Sequence, residues 1–274
     1  MLPSPIPSSG SPAHTRRLVA ALTLASAGYL VAPPLARGFE ALGFQLEVAH
    51  RDFRIHNNFG DDEANQNLTH DPNFPGWYGA DRAIWKGAAE WGSELRGGTG
   101  DGDPSQPQDL GSGEANFDFF FAGRALSNGA VGDDTHGEID GCAGGVQAFT
   151  EFFNNGKGFR TRYYGCWLWV DGPEGDWQGS GGWLDLQGIA THEFGHALGL
   201  GHSDDPTATM FATTSDGKSH RSLEVDDIVG IQSIYGVRAP NKPRIDSVTI
   251  LADVVTVLGS GFAGMGNDVW LTSG

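Results

Sequence analysis

The 274-residue sequence predicts an α+β fold with a shorter all-β segment at its C-terminal end. Three observations carry that expectation. Ile84, Ala88, Trp91 and Leu95 recur at spacings of four, three and four, so they share one face of a helix. Runs of β-forming residues, bounded by clusters of Gly, Asn, Asp and Pro, separate the helical stretches. Beyond Arg238 the composition changes to Pro240, Pro243 and then IDSVTILADVVTVLGSGF, in which short apolar runs alternate with turn residues.

Taken in order, residues 1–38 read as a leader. They carry a Pro/Ser-rich start, the pair Arg16 and Arg17, an apolar stretch over 18–31 and the small residues Ala25, Ser26 and Ala27, which is the layout of a secretion signal. A membrane anchor is the alternative, but the stretch is short, contains Thr23, Ser26 and Gly28, and runs into Pro33 and Pro34, which suits cleavage better than spanning. The arginine pair is also a feature of the bacterial twin-arginine route. A main domain is expected over 39–240. Its first strand is read at 46–56, followed by a loop to about Gly79 and the helix over 80–95. A strand around 115–121, a glycine-rich segment over 129–145 and a strand around 160–171 come next. The chain re-enters helix near Leu184, with Leu186, Ala190, Phe194 and Ala197 as its core-facing stripe. A last helix, over about 223–235, ends at Gly236. A second unit is expected over 241–274, too short to close a β-sandwich of about 100 residues, so the sequence is expected to stop inside it.

The chain is long enough for one large core. With 42 Gly, 19% charged residues, eight Trp and sixteen Phe, it reads as a loop-rich globular enzyme and not as a disordered segment. The formal charge is −17, and the first 38 residues hold three arginines and no acid. That balance disfavours nucleic acid as a partner. It fits an extracellular protein holding calcium through carboxylates, and equally acids that serve solubility. Cys142 and Cys166 are the only cysteines. In an exported chain an even count favours one disulfide over metal ligation or a catalytic thiol, with two free buried thiols as the alternative.

The chemistry concentrates in HEFGHALGLGH, residues 192–202. His192 and His196 lie four apart and project from one helical face, where both can grip a metal. Glu193 lies beside them. Gly199 can take the left-handed conformation that ends a helix, and the turn it permits can swing His202 toward the other imidazoles. Three neutral histidines make a catalytic type of zinc site, with a fourth position open to water whose pKa the metal lowers toward neutrality. Glu193 is then the natural general base. A degenerate, non-catalytic zinc site is the rival reading, yet nothing that the chemistry needs is missing from the motif.

The full run, with Met210 eight residues after His202, resembles the metzincin metallopeptidases, whose methionine turn lies beneath the zinc. Ser203 after the third histidine is similar to the matrixin branch. HSDDPTATM (202–210), DDIVGIQSIYG (226–236) and AIWKGAAEW (83–91) are similar to matrix-metalloproteinase-type catalytic domains over roughly 44–236. The resemblance implies a metzincin zinc-peptidase fold, a twisted mixed five-stranded sheet with three helices. It implies His192, His196 and His202 as zinc ligands, Glu193 as catalytic base, and Met210 as a supporting residue and not a ligand. On its own Met210 would be an ordinary core filler.

Two departures follow. No PRCGVPD-like segment precedes the domain, so thiol-zinc latency is not expected. HGEIDGCAGGVQAF (136–149) resembles the metal-binding loop of that family, but Gln147 and Trp169 stand where histidines would bind structural zinc, so a second zinc is not expected. Asp140, Asp171 and Glu174 stand where the family binds calcium; the alternative is that they are surface turn acids. His136 reads as a solvated loop histidine. The tail over 243–274 is similar to the start of an IPT/TIG-type immunoglobulin-like domain, with Gly259, Gly261 and Phe262 in its G-x-G-F turn.

The function expected is that of a secreted, monomeric zinc-dependent endopeptidase acting on protein or peptide substrates. An extended peptide would lie along the cleft beside an edge strand, with 144–149 as its rim and the pocket wall in the loop 211–222. The alternative is a non-catalytic secreted zinc- or calcium-binding adhesion protein, against which the intact Glu193 argues.

Overall fold

A computed structural model of the chain describes residues 38–60, 78–92, 111–170, 183–214, 220–252 and 254–265. The leader before Gly38, Leu95, Asp171 and Glu174 lie outside the described residues. Strands β1 (Asp52–His56), β2 (Phe120–Ala125), β3 (Thr135–Ile139), β4 (Ala148–Phe152) and β5 (Phe159–Tyr164) form one five-stranded sheet. Its order is β2-β1-β3-β5-β4; the first four are parallel, while β4 runs antiparallel to β5 and forms one edge. The described α-helices are α1 (Gly79–Trp91), α2 (Leu186–Ala197) and α3 (Val225–Tyr235). This is the mixed sheet with three helices that the metzincin resemblance implies. A short parallel pair, β6 (Leu168–Val170) and β7 (Trp183–Asp185), leads directly into α2. The antiparallel hairpin β8 (Arg244–Leu251) and β9 (Val254–Ser260) follows α3.

Local chemistry sets the helix boundaries. Asp185 caps α2 by accepting a hydrogen bond from the Gly188 amide at 2.7 Å. At the other end, the Leu200 amide donates to Gly195 O at 2.9 Å and the Gly199 amide to His196 O at 3.0 Å, with Gly199 at φ +100°. That pair of bonds is a Schellman ending. Helix α3 opens with a capping box between Glu224 and Asp227 and stops at Gly236.

The core sits where α2 meets the sheet and α1. Phe194 on α2 packs on Phe53 of β1, with ring centroids 5.1 Å apart, and on Phe119 at 4.7 Å. Burying each such ring is worth about 1.5–3 kcal/mol, so this one residue keys the helix into the aromatic face of the sheet. Gly87 brings α1 close: a Cβ there would lie 2.8 Å from the Thr191 amide nitrogen. Trp91 of α1 then donates from Nε1 to Thr191 O at 2.7 Å.

Several expected elements shift. The strand read at 46–56 starts only at Asp52, because Val48–His50 forms a 3-10 turn with Val48 exposed. The helix read over 80–95 has its C-cap at Gly92. The strand read at 115–121 lies later, at Phe120–Ala125; Ala115 makes an isolated bridge to Val237. The strand read over 160–171 is two strands, parted by the turn that carries Cys166. The glycine-rich segment contains an inner strand, β3, and β4 was not foreseen as a strand. His136 is a correction of another kind: it is not a solvated loop residue but a fully buried one on β3, its Nδ1 3.0 Å from the Tyr163 hydroxyl. Cys142 and Cys166 form the disulfide, with their Cα atoms 5.7 Å apart.

Candidate metal centre and its cleft

His192 and His196 stand one turn apart on α2, and the Schellman ending at Gly199 reverses the chain so that His202 meets them. Their ring centroids are 4.8 Å apart for His192 and His196, 4.9 Å for His196 and His202, and 5.4 Å for His192 and His202. One nitrogen from each lies within 4.8 Å of the others, and no other such group of three His, Cys, Asp or Glu occurs among the described residues.

Backbone carbonyls set the tautomers. His192 Nδ1 lies 2.7 Å from Thr209 O and His196 Nδ1 2.8 Å from Leu200 O. A carbonyl only accepts, so each Nδ1 carries the proton and each Nε2 keeps its lone pair for a metal. Burial holds His192 well below the ordinary imidazole pKa and takes His196 down to about 4, so both rings are neutral near pH 7. This donor set fits zinc, which takes three neutral histidines in catalytic sites.

The Thr209 carbonyl is itself held in place. The carboxylate of Asp227, buried at the start of α3, accepts from the Thr209 amide at 2.7 Å and from the Met210 amide at 3.0 Å. Met210 is fully buried beneath the helix, and a Cβ on Gly195 would collide with its Sδ. Glycine at 195 therefore lets the methionine turn pack under His192 and His196. Ser203 donates from its hydroxyl to Asp226 Oδ2 at 2.7 Å and from its amide to Met210 O at 2.8 Å. The supporting positions singled out in the sequence thus form one hydrogen-bonded frame.

Glu193 lies between His192 and the edge strand. Its Oε2 accepts from the Thr150 hydroxyl of β4 at 2.7 Å, and burial pushes its carboxyl up to about 8, against the lowering effect of that hydrogen bond. The three histidines and Glu193 line a cleft of about 710 Å³. One wall is the lead-in to β4 and β4 itself, Gly145 to Thr150; the facing wall includes Phe211 to Thr214 and His220. Of the rim and pocket wall read from the sequence, Gly145 to Phe149, Phe211 to Thr214 and His220 border it. Asp140 is exposed and belongs to no metal-binding group among the described residues. Gln147 donates to Thr214 O at 3.2 Å across the cleft, and Trp169 is buried with its Nε1 3.2 Å from Tyr164 O.

Sequence reasoning missed Thr150, and it placed His220 only within the wall loop 211–222, without its contact to His192. Thr150 touches the candidate base, and the ring of His220 stacks on His192 with centroids 5.7 Å apart and planes at 18°. Neither belongs to a motif; only the pairing of β4 with β5 and the return of the chain after α2 place them there.

A buried helix bearing two histidines and a glutamate, a third histidine after a glycine turn and a methionine beneath them define a metzincin-type centre. Residues 114–236 match the family described as Matrixin, and this stretch is similar to a matrix-metalloproteinase-type catalytic domain. It is 38% identical over 122 residues to matrix metalloproteinase-27 of Homo sapiens, covering 35% of this chain and 24% of that protein. To metalloendoproteinase 1-MMP of Arabidopsis thaliana it is 42% identical over 73 residues, 26% of this chain and 19% of the relative. To matrilysin of Homo sapiens it is 48% identical over 56 residues, 20% of this chain and 21% of the relative. The matched stretches therefore span no more than about a quarter of the length of these relatives.

Proposed function

We propose that the chain is a secreted zinc-dependent endopeptidase that hydrolyses peptide bonds of protein substrates, with His192, His196 and His202 holding the metal and Glu193 as general base. One observation carries the reading: the three imidazoles and Glu193 converge on the floor of a cleft bordered by an edge strand. Zinc, when bound, supplies Lewis acidity that polarises a carbonyl oxygen and makes water acidic near neutral pH. The exposed edge of β4 offers backbone groups to an extended peptide, which would add to the sheet as a further strand. Glu193 takes the proton from the attacking water and delivers it to the leaving amine, so no acyl-enzyme forms.

The proposal extends to organisation: a leader over 1–38, the catalytic domain over 39–240 and the start of an IPT/TIG-like unit over 241–274. Among the described residues no helix is long and apolar enough to cross a membrane. It also extends to calcium on Asp140, Asp171 and Glu174. Calcium added to chelator-treated protein should raise the thermal midpoint of the parent and not of Asp140→Ala; no rise in the parent would remove calcium from the proposal.

The activity is tested with casein. Cleavage should be abolished by phenanthroline and restored by zinc. A zinc-loaded chain that leaves casein and gelatin intact would favour the adhesion reading.

A further inference from the structure

We propose that Thr150 is the positioning residue for Glu193, its hydroxyl fixing one carboxylate oxygen so that the other is left for the reacting water. The inference rests on the endopeptidase reading and adds a residue to it. Thr150 Oγ1 lies 2.7 Å from Glu193 Oε2, 3.1 Å from Glu193 O and 2.9 Å from Thr161 Oγ1. A hydroxyl has one proton to give. With Glu193 ionised, as a general base must be, both of its oxygens only accept, so the proton of Thr150 goes to Glu193, at the shorter distance to Oε2, and the Thr161 hydroxyl donates to Thr150. Thr161 is fully buried on β5 and sits opposite Thr150 in the β4–β5 register, so strand pairing holds this relay in place. Oε1 of Glu193 has no protein hydrogen-bond partner among the described residues, and the side chain lines the cleft. The carboxylate is thereby divided into one oxygen that anchors and one that reacts.

The position of Thr150 has a second consequence. It belongs to the edge strand along which a peptide would pair, so the element that receives the substrate also orients the base. Substrate pairing uses backbone groups of β4 and Glu193 orientation uses a side chain, so a side-chain change should separate the two.

The test compares the parent, Thr150→Val and Thr150→Ser. Valine keeps the shape and removes the hydroxyl; serine returns it. Zinc content, thermal midpoint, and kcat and KM on a quenched fluorogenic peptide are measured for each, together with crystal structures of the metal-free parent and Thr150→Val. The expected result for valine is a kcat lower by about 10- to 100-fold, the cost of a misplaced catalytic group, with KM and zinc content within about twofold of the parent. Serine should recover most of the loss, and in the valine crystal the Glu193 carboxylate should leave its position. A valine variant with parental kcat, a serine variant that falls as far, or an unmoved Glu193 would overturn the assignment. If the zinc-loaded parent cleaves nothing, the endopeptidase reading fails, and the crystal comparison alone still decides whether Thr150 holds Glu193.

Discussion

At the scale of single residues, the chemistry depends on burying groups that would rather be wet. His136 is the sharpest case outside the metal site. It lies in a cage of Phe53, Phe159, Tyr163 and Phe194, its Nε2 has no hydrogen-bond partner, and burial takes its pKa from 6.5 down to about 3. Its folded pKa lies below its unfolded one, so its contribution to stability is complete above pH 6.5 and is lost as the pH falls toward about 3. At pH 5 the loss should reach about 2 kcal/mol. Urea midpoints of the parent should therefore drop faster between pH 7 and pH 5 than those of His136→Phe; parallel slopes would show that His136 does not set the acid sensitivity. Nothing in the local string THGEI signalled this burial. A histidine among Gly, Thr and Glu looks solvated until β1 and β5 close on both sides of it.

At the scale of elements, two cross-links frame the cleft from outside the histidine cluster. Asp185 both caps α2 and accepts from Arg221 Nε at 2.9 Å, with both side chains almost wholly buried. Arg221 follows His220 on the cleft wall, so the pair ties that wall to the start of α2, which bears His192 and His196. Removing one partner strands the other charge, and Arg221→Ala should cost about 3–5 kcal/mol in urea unfolding; a loss under about 1 kcal/mol would mean that the pair does not anchor the wall. On the opposite side, Cys142–Cys166 joins the lead-in to β4 to the turn after β5, where Trp167 also donates to Val146 O at 2.9 Å. Both cysteines are exposed. Cys142→Ser with Cys166→Ser should lose about 3 kcal/mol of stability and raise KM more than it lowers kcat, because the rim loosens while Glu193 stays in place. An unchanged KM would detach the rim from substrate binding. Helices α1, α2 and α3 were readable because periodicity, an HExxH spacing and a terminal glycine each act within a few residues. The strands were less so: β3 is inner and carries His136 and Gly137, so no alternation marks it, and β4 follows a glycine run.

At the scale of the whole molecule, the fold is a device for bringing distant segments to one point. The three clustered histidines and Glu193 lie within eleven consecutive residues, which is why they could be read directly. Thr150 is separated from Glu193 by 43 residues and Asp227 from Thr209 by 18, and no local pattern connects either pair. The proposed metal site joins α2, the chain after its glycine turn and the methionine turn held by α3, so metal binding should stabilise the folded state by linkage. Chelation should lower the thermal midpoint of the parent, and much less that of His202→Ala; equal shifts would show that the stabilising ion sits elsewhere. The proposed function turns on these residues forming a zinc site whose general base is Glu193. Zinc content and casein turnover, taken side by side on the parent and Glu193→Ala, decide that point. Both proteins should hold about one zinc per chain, and turnover should be lower by about 10²- to 10⁴-fold in the variant. A variant that keeps its zinc and cleaves casein as fast as the parent would remove Glu193 from the chemistry.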